Sequence, residues 1–280
     1  MKKLLLFFLT LLAFVGCNND SALDVEVGGD VCTTVEVAVD GDITRAEGFD
    51  LDALLGEDYV LRYTLQIFEG DKASLQDVKY SDELTVAFSV KLPPTRDYRF
   101  VVWADIVAKP TEDAPQPESP YYNTSDLQCV SITSWDNSER RDAFTGYVDV
   151  ENYSSSSTIK LPLVRPFAKL RVVDTDGVAN TAVAMMSVTY DYFYDCFDAK
   201  SGKPTAFSAS KTRVFNINVD AAAAENVILT DYLFATSTST EVNVELKLRD
   251  ANNIPTGQSI SHGIDVRRNQ LFTFQGKDIL

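Results

Sequence analysis

The chain has 280 residues, 45% hydrophobic and 24% charged, with 25 Lys and Arg against 41 Asp and Glu for a net charge of −16. That length suits two domains or one large β domain, and the apolar share is enough for real cores. So acidic a balance excludes nucleic acid and anionic lipid as electrostatic partners.

The chain opens MKKLLLFFLTLLAFVGCNND. Lys2 and Lys3 precede an apolar run over residues 4–15, broken only by Thr10. The run is too short for a comfortable span of about 20 residues and fits the apolar region of a secretion signal. It ends in Gly16-Cys17, the place where bacterial lipoproteins are cleaved and the Cys thiol receives diacylglycerol. Residues 1–16 are thus expected to be a lipoprotein signal peptide and Cys17 the lipid attachment site. The acyl chains then hold the protein at the outer membrane surface, at about 0.8 kcal/mol per buried CH₂. Loss of residues 1–16 removes two lysines and no acids, so the mature charge is 23 − 41 = −18.

The first strand signal is VCTTVEVAV, where Val31, Thr33, Val35, Val37 and Val39 share one face. At about 1.5 kcal/mol each, four buried valines would contribute roughly 6 kcal/mol. A polar junction, GDITRAEGF, follows and carries Arg45 and Ala46. Residues 51–55 and 221–224 are long enough for one helical turn each. Otherwise period-two alternation dominates, in VLRYTLQIFEG, LTVAFSVKL, DYRFVVWADIV, VTYDYFYDCF, RVFNINV, TEVNVELKLRD and QLFTF. Trp103 lies in one of these apolar runs and reads as core. PTEDAPQPESP, residues 110–120, reads as a long exposed loop. SITSWDNSERR presents Trp135 among polar neighbours, as an exposed ring able to stack on a sugar. A Ser-rich break over residues 151–158 leads into IKLPLVRPF, where Pro162 and Pro166 suit a linker or an edge strand.

The fold class is therefore all-β: two tandem β-sandwiches of transthyretin/Ig-like Greek-key type. Residues 17–45 form an N-terminal segment with the first strand, 46–163 the N-terminal sandwich and 164–280 the C-terminal one. With Cys17 lipidated, Cys32, Cys129 and Cys196 remain, an odd number without CxxC spacing. Buried free thiols are the first expectation and one disulfide is the alternative. The single histidine, His262, sits in SISHGID, which reads as an exposed loop. No nucleophile elbow, zinc motif, P-loop or dinucleotide fingerprint occurs, and no enzymatic activity, metal or cofactor is expected.

The leader, the strand, ITRAEGF, DYRFVVWADI, DAFTGYVDV, RPFAKLRVVD and the closing DVRRNQLFTFQGKDIL together resemble the fimbrillin family, the Bacteroidia-type (type V) pilins, over essentially the whole chain. The resemblance implies a precursor that reaches the cell surface as a lipoprotein and is cut behind Arg45, with Ala46 as the new N-terminus. It implies assembly with other pilin subunits by strand exchange into a fimbrium, and adhesion to a host glycan or protein. Such a cut would remove a segment of net charge −6, taking the body from −18 to −12. The chain stops soon after QLFTF, whereas shaft pilins of this kind have a donor segment beyond the last strand, so a tip, anchor or accessory role is expected. The rival expectation is an uncleaved surface lipoprotein binding carbohydrate or another host ligand, with Trp135 in contact.

Overall fold

The computed structural model describes residues 29–39, 50–154, 158–175, 183–217 and 226–276. Alternation in the first half places apolar side chains on the facing sides of two sheets. β1 (Val31–Val39), β4 (Thr85–Leu92) and β9 (Thr158–Leu163) form one, in the order β4-β1-β9. β2 (Tyr59–Glu69), β3 (Lys72–Ser81), β5 (Tyr98–Ala108) and β8 (Ala143–Val150) form the other, in the order β3-β2-β5-β8. Between them lie Val35, Val37 and Phe88 from one sheet and Tyr63, Leu65 and Phe100 from the other. A single helical turn, α1 (Leu51–Leu55), starts where the Asp50 carboxylate accepts from the Ala53 amide at 3.1 Å, and it buries Leu51 and Leu55 in the same core. Gly70, at φ 60°, supplies the left-handed residue of the tight β2–β3 hairpin.

The second half repeats this plan. β10 (Phe167–Asp174), β15 (Asn226–Phe234) and β18 (Leu271–Gly276) run in the order β15-β10-β18. Opposite them, β11 (Met185–Tyr190), β14 (Lys211–Asn216), β16 (Thr240–Arg249) and β17 (Pro255–Val266) run in the order β14-β11-β16-β17. β1 is antiparallel to β4 and parallel to β9; β10 is antiparallel to β15 and parallel to β18. Each sandwich thus opens with a strand that becomes the centre of its three-stranded sheet. Each closes with a parallel strand at that sheet's edge. The repeat escapes a reading of the sequence because each lobe carries an extra hairpin at a different place, between β5 and β8 in the first and between β11 and β14 in the second.

Those two insertions join the lobes. β6 (Tyr122–Asn123) and β7 (Val130–Ile132) from the first pair with β12 (Phe193–Asp198) and β13 (Lys203–Ser208) from the second, in the order β13-β12-β7-β6. A disulfide between Cys129 and Cys196 spans the same seam, with Cα atoms 5.4 Å apart and the two residues 67 positions apart in sequence. The expectation of free thiols is therefore overturned; no cysteine among the described residues is free. Behind the seam a separate apolar cluster takes Phe68, Val101 and Trp103 from the first lobe and Phe167, Phe197 and Phe234 from the second. Trp103 is fully buried there, its ring 5.3 Å from Tyr122 and 6.4 Å from Phe234. It is core, but core between the lobes.

Charge completes the joint. A 3-10 helix at Glu139–Arg141 delivers residues 139–142 into the seam. Glu139 meets Lys169 and, at 3.2 Å, Arg171; Arg141 meets Asp231 at 2.8 Å; Asp142 meets Arg165 at 2.7 Å. Asp231 also takes Arg213 at 2.8 Å and the Tyr190 hydroxyl at 2.6 Å. Burial pushes the Asp231 carboxyl up, but Arg213 and Arg141 outweigh it and hold it below its ordinary 3.8. Burial likewise draws Arg213 down to about 10, still charged at neutral pH.

Candidate functional site

The residues that the sequence singles out converge on β1. Its alternation puts Thr33, Val35, Val37 and Val39 into the core, each under 5% exposed, while Val31 at the strand's start is half-buried. Three valines rather than four are fully buried, so their contribution is about 4.5 kcal/mol at about 1.5 each. The register flanks each with apolar partners on both sides. Val35 stands between Phe88 of β4 and Ile159 of β9, and Val37 between Val86 and Leu161. Val39 pairs with Leu163, and its amide donates to the Leu84 carbonyl at 2.8 Å. At the other end the Tyr153 hydroxyl donates to the Val31 carbonyl at 2.9 Å. Burial raises that phenol's pKa, so it keeps its proton and stays a donor.

β1 is the sole ladder partner of both β4 and β9 among the described residues. Take it away and two strands lose every sheet hydrogen bond they share with it, across a slot of roughly 10 Å, two strand spacings. Pro162 of β9 sits opposite Ala38, at the sheet's edge, where a missing N–H is tolerated. The slot would be walled by Phe88 and Val86 on one side and by Ile159 and Leu161 on the other. The lining is shaped to an extended, β-branched segment such as β1 itself.

The remaining sequence candidates are placed differently. Cys17, Arg45 and Ala46, and the turn expected over 221–224, lie outside the described residues. Trp135 is not the exposed platform expected. It packs against the second lobe's core, with the Arg213 guanidinium 3.2 Å from its ring centroid and Phe193 at 5.8 Å. Its polar neighbours in sequence, Glu139 and Arg141, are themselves turned into the seam. The His262 segment is strand rather than loop: His262, on β17, pairs with Val244 of β16 and lies exposed beside Phe274. Among the described residues no group of acids, Cys and His could hold a metal ion, and no helix is long and apolar enough to cross a membrane.

Solved structures from Bacteroidales resemble this fold. A candidate adhesin of Bacteroides ovatus superposes with a TM-score of 0.50 at 13% identity, over 82% of this chain and 76% of that one. The tip fimbrial protein Mfa3 of Porphyromonas gingivalis, with a C-terminal truncation, gives 0.44 at 12% over 90% and 96%. A fimbrial assembly protein of Parabacteroides distasonis gives 0.45 at 11% over 90% and 92%. No curated protein matches the chain. A family profile described only as a family of unknown function, DUF6562, matches residues 25–277. The chain belongs to that family, and its all-β fold is similar to that of the Bacteroides ovatus adhesin.

Proposed function

We propose that the protein is a surface subunit of the fimbrial adhesion type, lipid-anchored to the outer membrane through Cys17 and made competent to assemble when cleavage behind Arg45 frees β1. One observation supports this above others. β1 is the central strand of its sheet, holds β4 and β9 together, and joins the body through residues 40–49, the segment that contains Arg45. An intact chain keeps its slot filled. Once cut, β1 is held only by its buried valines and ladder bonds, and its departure bares two unpaired strand edges. A strand from another pilin subunit repairs both at once, by β-augmentation. Cleavage would also part the body from its lipid, moving it from the membrane to a fimbrium.

The test is the N-terminus of the protein recovered from cells, read by mass spectrometry together with polymer length on gels. An Ala46 start in assembled material is the expected result, and Arg45→Ala should leave monomer still lipidated at Cys17. Polymers formed equally well by that variant would remove cleavage from the mechanism. A lipidated chain that never shows an Ala46 form would leave the uncut lipoprotein as the answer.

A further inference from the structure

We infer a second binding site, for a neutral oligosaccharide, in a cleft on the outer face of the first lobe's four-stranded sheet. The cleft has a volume of about 660 Å³ and is bounded by β2 and β3 on one side and by the end of the proline-rich loop and the chain following it on the other. Its volume falls in the range of ligand sites, roughly 300–1,000 Å³. The floor is Arg62, nine-tenths buried. Its Nε and Nη2 are held by the Asp105 carboxylate at 3.1 and 3.2 Å, and Nη2 also donates to the Thr124 hydroxyl at 2.9 Å. Nη1 meets no acceptor among the described residues, and the guanidinium lines the cleft. Held by its other two nitrogens, the guanidinium presents that group to the cleft as a fixed donor.

Two side-chain amides on the walls repeat the pattern. Gln76 accepts from Gln66 through its Oε1 at 3.1 Å, leaving its own amide nitrogen for the cleft. Asn123 accepts from the Ser125 amide and hydroxyl through its Oδ1, leaving its nitrogen likewise. Thr64 adds a hydroxyl, and the half-buried Tyr80 adds ring surface with its own hydroxyl tied to the Pro117 carbonyl at 3.1 Å. Fixed donors, hydroxyls and a ring face suit the vicinal diols and CH faces of a sugar. An anionic ligand is disfavoured. Asp105 already neutralises the cation, and the chain carries a net charge of −16. A peptide is disfavoured too, because the lining has no deep apolar socket for an anchor residue.

The site does not depend on strand exchange, since β1 belongs to the other sheet of the sandwich. The test immobilises neutral oligosaccharides ending in glucose, galactose, mannose or N-acetylhexosamine beside matched sialylated ones, and passes the full-length protein over them. Retention on at least one neutral glycan is expected, weakened tenfold or more by Gln76→Trp, which fills the cleft from an exposed position and should leave the melting temperature unchanged. Asn123→Ala should weaken it severalfold, and Arg45→Ala should bind as the wild type does, which separates this result from the fate of the assembly proposal. Failure to bind any neutral glycan, binding confined to sialylated ones, or equal binding by Gln76→Trp would each overturn the assignment.

Discussion

Asp231→Ala is expected to lower the melting temperature by roughly 10 °C, read by calorimetry or circular dichroism. The carboxylate is fully buried and is the counter-ion of two arginines that are themselves buried, Arg141 and Arg213. Removing one partner of a buried ion pair costs about 3–5 kcal/mol, because the remaining charge stays behind without compensation. Here two charges are stranded, and Nε and Nη2 of both guanidiniums already lack hydrogen-bond partners among the described residues. At about 2–4 °C per kcal/mol for a chain of this size, a fall near 10 °C follows. The acid limb gives a second reading. The folded pKa of Asp231 lies below its ordinary 3.8, so its contribution is complete above that value and is lost as pH falls through the folded pKa. The gap between wild type and variant should therefore be constant at neutral pH and close in strong acid. A gap unchanged down to pH 2 would mean that the ionised carboxylate is not what holds the seam.

Replacing Cys129 and Cys196 together by alanine is expected to cost about 4 kcal/mol in urea unfolding, with the slope of the transition rising as the denatured chain expands. The figure follows from the 67-residue separation of the pair, because cross-linking so distant a pair removes much of the denatured chain's freedom. The native seam has other ties, among them the β7–β12 pairing, the Trp103–Phe197 contact and the ion pairs. The folded lobes should therefore keep their arrangement, and the loss should appear as stability rather than as a change of fold. A loss under about 1 kcal/mol would show that the unfolded chain is already constrained across this span without the cystine.

What the sequence disclosed and what it hid divide along one physical line. Side-chain periodicity is local, so β1, β4 and β16 could be read with their buried faces from Val35 and Val37, from Phe88 and Val90, and from Val242 to Leu246. The edge position of Pro162 was legible too, since a missing N–H is a property of the residue itself. Partners thirty to ninety positions away are not local. Glu139 and Arg141 look like a solvated charge run beside an exposed Trp135 until Asp231, Lys169 and Arg171 are brought against them by the second lobe. Arg62, Thr64 and Gln66 alternate with a buried face and so read as the wet side of β2. In the folded chain the same side is covered by the segment that begins with β6. The cysteines follow suit: an odd count without close spacing suggests thiols, and only the inserted hairpins bring Cys129 to Cys196. The cleft has no local signature, because its walls, from residues 62–80 and 116–133, are brought together only by the fold.

The seam between the lobes has a mechanical consequence. A folded chain tugged from its two ends yields by peeling, and each residue released lengthens it by about 3.3 Å. The cystine withholds the stretch between its two ends from that process, roughly 220 Å of slack at 67 residues. Under traction, the first strands of the second lobe and the last of the first cannot pay out in series. Extension would be confined to the flanking portions, and the molecule would behave as a short, stiff link where two loosely strung beads would stretch.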